Sequence, residues 1–315
     1  MYFCSMKSPY QEIKGLLMEG NMSEGEAKAV ALMLLEKVAG LPTAKALIAD
    51  GNDLLCRRQS LLELAARVAQ GEPVQYVLGE ADFCGLTLKV KPGVLIPRPE
   101  TEELVAWVVE NVKANTNLLP LTSNLSPLKL LDIGTGSGCI AVALAKKLKE
   151  AEVEAWDVSD DALEIARENA KRNGVQVKTS KVDVLDINPN SQLSTLNCQL
   201  STLTSHLSPL TSYNIIVSNP PYIGEEEKAE MERNVLEHEP ELALFVPDDD
   251  PLLFYRRIAE LGLSLLKEKG LLFFEINRRF GEEVVKMLQG KGYREVELRQ
   301  DMFGNDRMVK AIKPA

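Results

Sequence analysis

From Lys129 to Ile312 the sequence alternates between short apolar stretches and longer amphipathic ones, and this alternation limits the possible folds more than any other feature. Such a pattern predicts strands joined by helices that cover a sheet. The strand-like segments are 129–133, 153–157, 175–182, 215–218, 271–276, 295–298 and 307–312, and the helical segments are 140–148, 162–173, 252–267 and 281–288. The expected fold class is therefore α/β, an open sheet with helices on both faces.

The N-terminal part of the chain shows a different pattern. Between Gln11 and Gln70, apolar residues recur at spacings of three and four, as they do on the buried faces of amphipathic helices. The segment from Ser23 to Glu26 has the form of a capping box, which marks the start of one of these helices. We therefore predict a small helical domain over residues 1–73.

The segment that follows has extended character, because apolar residues there are interrupted by glycines and prolines. We predict a hairpin-like connector over residues 74–100. The Pro- and Glu-rich stretch 97–102 favours the first turn of a helix, which we expect from Leu104 to Val112. Residues 101–315 then form the predicted α/β domain.

Two segments, near 114–128 and 187–212, interrupt this pattern and contain no Asp, Glu, Lys or Arg. Both carry nearly the same octapeptide, Leu-Thr-Ser-Asn-Leu-Ser-Pro-Leu at 121–128 and Leu-Thr-Ser-His-Leu-Ser-Pro-Leu at 203–210. The leucine spacing is that of an amphipathic helix, but Ser, Thr, Asn and Pro disfavour one. We predict low-complexity insertions in surface connections, with a short docked helix as the alternative, and assign them no chemistry.

Charge and composition exclude several classes of function. Lys and Arg number 36 and Asp and Glu number 46, so the net charge of −10 disfavours stable nucleic-acid binding, which draws on phosphate neutralisation. Five scattered cysteines without a CxxC pair, and only two histidines, argue against disulfides, metal sites and His-based triads. Because no signal peptide or membrane-spanning segment is recognisable, we expect a cytoplasmic protein without membrane association. We also expect a monomer.

A glycine-rich turn follows the first strand of the α/β domain. The run Gly134-Thr135-Gly136-Ser137-Gly138 joins an apolar strand to a helical stretch. Glycines at this position let the backbone turn sharply and approach a ligand at the carboxyl edge of the sheet, although such turns also arise for purely structural reasons. We interpret these five residues as a nucleoside-binding loop.

Two aspartates end the next two strands. Asp157 lies where a carboxylate can accept hydrogen bonds from both ribose hydroxyls of a bound nucleoside; the alternative is an N-terminal cap for the helix after Ser159. Asp183 has the equivalent place on the third strand and could contact an adenine amino group, with a cap or loop role as its alternative. Both are expected to bind the cofactor.

The glycine spacing selects among nucleoside cofactors. A dinucleotide-binding loop requires G-x-G-x-x-G, but Cys139 stands where the third glycine should be. The G-x-G-x-G form with its acidic partner resembles the loop of Rossmann-like S-adenosylmethionine-dependent methyltransferases. This resemblance implies S-adenosyl-L-methionine as methyl donor, on an α/β sheet that carries a small N-terminal helical domain.

The sequence Asn219-Pro220-Pro221-Tyr222 follows another apolar strand and carries the expected chemistry. The side-chain carbonyl of Asn219 and the backbone carbonyl of Pro220 can each accept one N–H of a planar NH2 group. Held in this way, the nitrogen can present its lone pair to a methyl group. Tyr222 would stack on the flat face of the target. We therefore predict Asn219, Pro220 and Tyr222 as catalytic residues, all four residues as the substrate site, and Asn219 as a further cofactor contact.

Asn-Pro-Pro-Tyr is typical of methyltransferases that act on planar NH2 groups, and further motifs narrow the resemblance. The chain resembles the protein-glutamine N5-methyltransferases of peptide-chain release factors, the PrmC/HemK family. The matching segments cover nearly the whole chain: 71–79, 83–85, 94–102, 215–223, 239–244, 274–276 and 301–307. Departures are the two insertions, Asn277 where the family usually has glycine, and Asp250-Pro251-Leu252 where Asp-Gly-Leu is usual.

The resemblance implies a helical domain that helps to dock a class 1 release factor, and a catalytic domain that methylates the glutamine of its Gly-Gly-Gln motif. It also implies that Arg98, Glu100 and Thr101 shape the cofactor pocket. An adenine-N6 methyltransferase of DNA or RNA would use the same four residues from Asn219 to Tyr222, but it predicts a basic cleft, which the net charge disfavours. A non-catalytic module that binds the cofactor or a partner is the third possibility.

Overall fold

The computed structural model describes residues 8–40, 45, 57–114, 127–187, 212–231 and 233–315. The two segments interpreted as insertions lie almost wholly outside these described residues, and their conformation stays a prediction. The chain separates into two compact units. One comprises the described residues up to Ala81 together with 90–92 and 231–238, and the other comprises Asp82–Lys89, Gly93–Glu230 and Glu239–Ala315.

The first unit is helical, as its apolar spacing predicts. Its helices are α1 (Pro9–Glu19), α2 (Glu24–Ala39), α3 (Arg58–Ala69) and α4 (Val74–Leu78), with α8 (Arg233–His238) added from the later chain. The hydroxyl of Ser23 accepts a hydrogen bond from the backbone N–H of Glu26 and caps α2, where the capping pattern places a helix start. Ile13, Leu17, Leu34 and Leu61 are fully buried in the core of this unit.

The predicted connector begins differently from the expectation. Its first residues form the short helix α4 rather than an extended segment, because Pro73 starts the turn and Gly79 ends it in the left-handed conformation at φ +72°. A two-stranded sheet then follows, β1 (Glu80–Phe83) and β2 (Leu86–Lys89). Cys84 and Gly85 between them both have positive φ, as in a tight hairpin turn.

The second unit contains a seven-stranded sheet in the order β10-β11-β9-β6-β3-β4-β5. Its strands are β3 (Leu128–Ile133), β4 (Ala151–Asp157), β5 (Lys178–Lys181), β6 (Tyr213–Ser218), β9 (Leu266–Glu275), β10 (Arg294–Gln300) and β11 (Asp306–Ile312). Neighbouring strands are parallel except where β11 pairs with β9 and with β10. The α/β prediction is confirmed.

Helices cover both faces of this sheet. They are α5 (Pro99–Ala114), α6 (Cys139–Lys147), α7 (Asp160–Arg172), α9 (Glu241–Leu244), α10 (Leu253–Leu265) and α11 (Gly281–Gly290). Leu130 and Leu131, adjacent on β3, belong to different buried clusters, because successive side chains of a strand point to opposite faces. Helix α5 begins at Pro99, five residues before the expected Leu104, so that the proline occupies its first turn.

Smaller elements complete the second unit. A short pairing joins β7 (Ile223–Gly224) to β8 (Phe245–Val246), and a 3₁₀ turn covers Glu225–Glu230. Within the described ranges, no helix is long and apolar enough to cross a membrane. The same part of the chain holds no group of three or more His, Cys, Asp or Glu that could bind a metal ion.

Candidate active site

The register of four parallel strands brings the predicted site residues to one edge of the sheet. Ile133 on β3 pairs with Trp156 on β4 and with Ser218 on β6, and Ser218 pairs in turn with Phe274 on β9. The next residues along these strands are Gly134, Asp157, Asn219 and Glu275. They therefore lie in a row at the carboxyl ends. Here α6, which follows β3, and α10, which lies between β6 and β9, pack on opposite faces of the sheet, and ligands bind at such a point.

The glycine loop adopts a conformation that requires its glycines. Gly134, Gly136 and Gly138 have φ of +72°, +54° and +79°, a region that L residues other than glycine rarely occupy. A Cβ on Gly138 would lie 2.9 Å from the Cβ of Ala166 on α7. The backbone N–H groups of Gly134 and Thr135 both donate to the carbonyl oxygen of Trp156, at 2.9 and 3.0 Å. These two backbone hydrogen bonds fix the start of the loop against β4.

Two buried side chains that the sequence did not single out support this loop. Asp132 Oδ2 accepts the Thr135 hydroxyl at 2.6 Å and the backbone N–H of Ala141 at 3.2 Å. Asp132 Oδ1 is buried without a hydrogen-bond partner, and burial raises the pKa of this carboxyl to about 7. On the far side of the loop, Asn169 Nδ2 donates to the carbonyl oxygen of Ser137 at 2.8 Å.

Asp157 is held by backbone N–H groups at the end of β4. Its Oδ2 accepts the N–H of Gly136 at 2.8 Å, and its Oδ1 accepts the N–H of Ser159 at 2.9 Å. Burial raises the pKa of this carboxyl, and the backbone hydrogen bonds oppose that rise. Ser159, not Asp157, caps α7, because its hydroxyl accepts the N–H of Ala162. The capping alternative for Asp157 is therefore wrong.

A cavity of about 220 Å³ opens beside the glycine loop in the second unit. Four of the five loop residues, all but Gly138, line this cavity, as do Asp157 and Asp183. Asp183 Oδ1 accepts the backbone N–H of Leu185 at 2.9 Å. Asp183 therefore stabilises its own loop and lines the cavity at the same time. Apolar side chains form much of the remaining wall: Val158, Val184, Leu185, Leu242, Phe254 and Ile258.

The Asn-Pro-Pro-Tyr segment meets the cavity through its first three residues. Asn219, Pro220 and Pro221 line the wall, whereas Tyr222 does not. The Tyr222 hydroxyl instead donates to Glu275 Oε1 at 3.2 Å, and burial and the nearby Glu275 raise the pKa of this phenol. Its backbone carbonyl accepts Asn277 Nδ2 at 3.0 Å. The stacking role that the sequence suggests for Tyr222 stays a prediction.

Helix α5 and Arg98, which immediately precedes it, contribute to the same wall. Thr101 and Arg98 line the cavity, whereas Glu100 does not. The Thr101 hydroxyl donates to Glu275 Oε2 at 2.6 Å and accepts Asn219 Nδ2 at 3.3 Å. Arg98 donates to Glu239 Oε1 at 2.6 Å. Arg98 is the only Lys or Arg among the residues that line the cavity.

No role for Glu275 is predicted from the sequence, although its place in an apolar run makes it unusual. It is the only charged residue between Gly270 and Asn277, a run that is buried throughout, and a lone acid in such a run must find hydrogen-bond donors. Asp132 stands in the same way within the apolar residues of β3. In both cases the acid can be recognised from the sequence. The partners of Asp132 are close to it in sequence, whereas Thr101 and Tyr222, which donate to Glu275, lie 174 and 53 residues away.

Comparisons with known proteins agree with this geometry. The family model described as PrmC N-terminal domain matches residues 11–79, and the one described as Methyltransferase small domain matches residues 110–198. Among solved structures, the hMettl16 catalytic domain in complex with MAT2A 3′UTR hairpin 6 superposes with a TM-score of 0.52 at 19% identity. The superposition covers 80% of this chain and 82% of that one, and it supports the methyltransferase fold.

Curated relatives extend the match across both units. The release factor glutamine methyltransferase of Bacteroides thetaiotaomicron is 44% identical over 289 residues, which cover 91% of this chain and 92% of the relative. That of Flavobacterium psychrophilum is 45% identical over 262 residues, which cover 83% and 81%. With identity at this level over most of both chains, the protein belongs to the family of release factor glutamine methyltransferases.

Proposed function

We propose that this chain transfers a methyl group from S-adenosyl-L-methionine to the side-chain amide nitrogen of the glutamine in the Gly-Gly-Gln motif of class 1 peptide-chain release factors. The observation that carries the proposal is that Asn219 and the glycine loop line one cavity. An amide-binding group and a nucleoside-binding loop on one wall are what this reaction needs. The names of the relatives support the release factor as substrate.

The cavity fits a nucleoside that carries no phosphate. Among the described residues that line it, the one cationic side chain is Arg98, and it already pairs with the buried Glu239 rather than being free to bind a phosphate. Asp157 keeps acceptor capacity beyond its two backbone hydrogen bonds, since a carboxylate has about four lone-pair sites. We assign the ribose hydroxyls to Asp157 and the adenine amino group to Asp183.

The donor supplies a methyl group on a positively charged sulfur, and the chain supplies the orientation of the acceptor. An amide nitrogen is a poor nucleophile because its lone pair is delocalised into the carbonyl group. The Asn219 side-chain carbonyl and the Pro220 backbone carbonyl would each accept one N–H of the substrate amide and fix its plane. Holding reactants in such a geometry can contribute roughly 7 to 11 kcal/mol to catalysis.

None of the described residues of the helical first unit lines the cavity, and we assign this unit to docking of the release factor. The matching PrmC N-terminal domain model supports the assignment. Docking would contribute binding energy with an intact release factor and none with a short peptide that carries the Gly-Gly-Gln sequence. We further propose that the protein acts in the cytoplasm as a monomer, without stable nucleic-acid or membrane binding.

The proposal is tested by methyl transfer from labelled S-adenosylmethionine to a purified class 1 release factor. We expect label in the release factor, and none in a matched factor whose Gly-Gly-Gln glutamine is replaced by alanine. DNA and structured RNA serve as competing substrates in parallel reactions. Label in nucleic acid instead of the release factor would contradict the proposal and favour the adenine-N6 alternative.

A further inference from the structure

The role of Asn219 depends on which way its amide group is turned. Only the carbonyl oxygen of Asn219 can accept an N–H of the substrate amide. If the NH2 group of Asn219 faced the cavity instead, it would place a hydrogen-bond donor against the N–H donor of the substrate. The two orientations have the same shape, so packing alone distinguishes them poorly, and hydrogen-bond partners must decide between them. The partner of Asn219 is Thr101.

We infer that Thr101 and Glu275 act together as positioning residues that turn the Asn219 carbonyl toward the substrate. A hydroxyl group has one proton to donate, and Thr101 donates it to Glu275 Oε2 at 2.6 Å. Its oxygen can then only accept, and it accepts Asn219 Nδ2 at 3.3 Å. With Nδ2 held in this way, Oδ1 is left as the acceptor that faces the cavity. The inference rests on the proposed function, because it explains how that amide site is oriented.

The direction of this chain of hydrogen bonds is set by Glu275, which is 1% exposed. It accepts two hydroxyl groups, Thr101 on Oε2 and Tyr222 on Oε1. Two donors on two oxygens match a carboxylate, because a carboxylic acid would use one oxygen as a donor itself. The nearby positive charge of Arg307 also favours the carboxylate, and the negative charge of Glu100 opposes it.

Protonation of Glu275 would reverse the chain. A neutral Glu275 could donate to the Thr101 oxygen, the Thr101 hydroxyl would then be free to donate to Asn219 Oδ1, and the amide would turn its NH2 toward the cavity. Burial raises the pKa of this carboxyl above its ordinary value, against the opposing effects of Thr101, Arg307 and Tyr222. Activity is therefore lost as the pH falls through that raised pKa.

Two substitutions at Thr101, one that removes the hydroxyl and one that removes the methyl group, separate the effect of hydrogen bonding from that of packing. Thr101→Val keeps the shape of this buried side chain in the first turn of α5 but lacks the hydroxyl; Thr101→Ser keeps the hydroxyl but lacks the methyl group. We expect kcat to fall about 10- to 100-fold in Thr101→Val, from loss of the hydrogen-bonded orientation, and to stay within about 3-fold of wild type in Thr101→Ser. The Kd for S-adenosylmethionine of both should remain near wild type. The Tm of Thr101→Ser should also remain near wild type, whereas that of Thr101→Val should be lower because the buried Glu275 has one donor fewer.

The opposite order, with valine active and serine impaired, would overturn the inference and leave Thr101 a packing residue. Equal losses in both variants would overturn it as well. A wild-type protein that fails to methylate a release factor would instead contradict the proposed function, so the two failures are distinguishable.

Glu275→Gln provides an independent readout in the pH profile. We expect the wild-type kcat to decrease as the pH is lowered through the raised pKa of Glu275, and the glutamine variant to lose this inflection because its side chain does not titrate. Its kcat should also be low at neutral pH, since an amide NH2 can donate to Thr101 and reverse the chain. A Glu275→Gln enzyme with wild-type kcat and the wild-type inflection would refute the role of Glu275.

Discussion

The two sides of the cavity are built in different ways. On the cofactor side, backbone groups set most of the geometry, with Asp132 and Asn169 as supporting side chains. Glycines with positive φ form the loop, and Asp157 is held by the N–H groups of Gly136 and Ser159. On the amide side, side chains from distant parts of the sequence hold the Asn-Pro-Pro-Tyr segment, through Thr101, Glu275 and Asn277.

This difference follows from what each side must recognise. A nucleoside is large, and a loop that approaches it closely with few side chains can enclose it. A primary amide is small and must be oriented within a few tenths of an ångström, which requires donors and acceptors whose own rotamers are fixed. We therefore expect substitutions on the amide side to lower turnover, and substitutions on the cofactor side to lower stability or cofactor affinity.

The largest effect should come from Asn219→Ala. Removing the side-chain carbonyl deletes one of the two acceptors for the substrate amide, and we expect kcat to fall about 10²- to 10³-fold, as for loss of a donor from an oxyanion hole. The Kd for S-adenosylmethionine should change less than about 3-fold. Single-turnover methyl transfer and equilibrium cofactor binding measure the two quantities separately.

Asn214→Ala is the matched control for that variant. Asn214 lies on the same strand, β6, and its Oδ1 accepts the backbone N–H of Lys129 and the Lys267 ammonium, away from the cavity. Its turnover should stay near wild type. If Asn219→Ala kept wild-type kcat, or lost affinity for S-adenosylmethionine instead, the contrast between the two sides would not hold.

The second effect concerns the glycine loop and is read as stability. Both glycines have a positive φ, which disfavours alanine. The added Cβ of Gly138→Ala would also lie 2.9 Å from the Cβ of Ala166, whereas the added Cβ of Gly136→Ala would have no atom within 4 Å apart from its chain neighbours. We expect Gly138→Ala to lower the free energy of unfolding by about 1 to 3 kcal/mol, and Gly136→Ala to lower it less. Chemical denaturation of the pair measures the difference, and equal losses would mean that φ alone matters.

The same contrast explains how much could be predicted from the sequence. The α/β sheet, the loop Gly134 to Gly138 and the strand-end positions of Asp157 and Asn219 follow from local patterns, because each depends on residues adjacent in sequence. The partners of Asn219 and Tyr222 do not. Thr101 is separated from Asn219 by 118 residues, and Glu275 from Tyr222 by 53, so that only the folded sheet brings them together. The sequence pattern predicts extended chain where α4 forms, because five residues are too few to establish a helical period.

The third effect tests whether the cofactor side tolerates loss of a charge. In Asp157→Asn, one of the two backbone N–H groups on Asp157 would face an amide NH2 rather than an oxygen. We expect the Kd for S-adenosylmethionine to rise about 10-fold, with kcat at saturating cofactor within about 3-fold of wild type. Asp160→Asn is the control, since the ion pair of Asp160 with Lys181 is exposed and should contribute little. A large loss of kcat in Asp157→Asn at saturating cofactor would contradict the expectation that the cofactor side determines cofactor affinity and the amide side determines turnover.

The smallest effect is expected at Asn277, the buried residue that stands where the family usually has glycine. Its Nδ2 donates to the carbonyl oxygen of Tyr222 at 3.0 Å and to Glu227 Oε1 at 2.8 Å. Asn277→Ala removes this support behind the segment and also the acceptor of the Arg279 N–H, so we expect kcat to fall about 3- to 10-fold and Tm to decrease.

Asn277→Asp sharpens that prediction. The aspartate keeps the oxygen that accepts the backbone N–H of Arg279 but loses the donor, and it places a second carboxylate against Glu227. Since like charges at this distance repel, we expect its kcat to be lower than that of Asn277→Ala at neutral pH and to approach it as the pH is lowered. Steady-state methyl transfer by the two variants across that pH range measures the difference. Wild-type turnover in both variants would show that the amide side does not depend on Asn277, and that Thr101 and Glu275 are sufficient to support Asn219 and Tyr222.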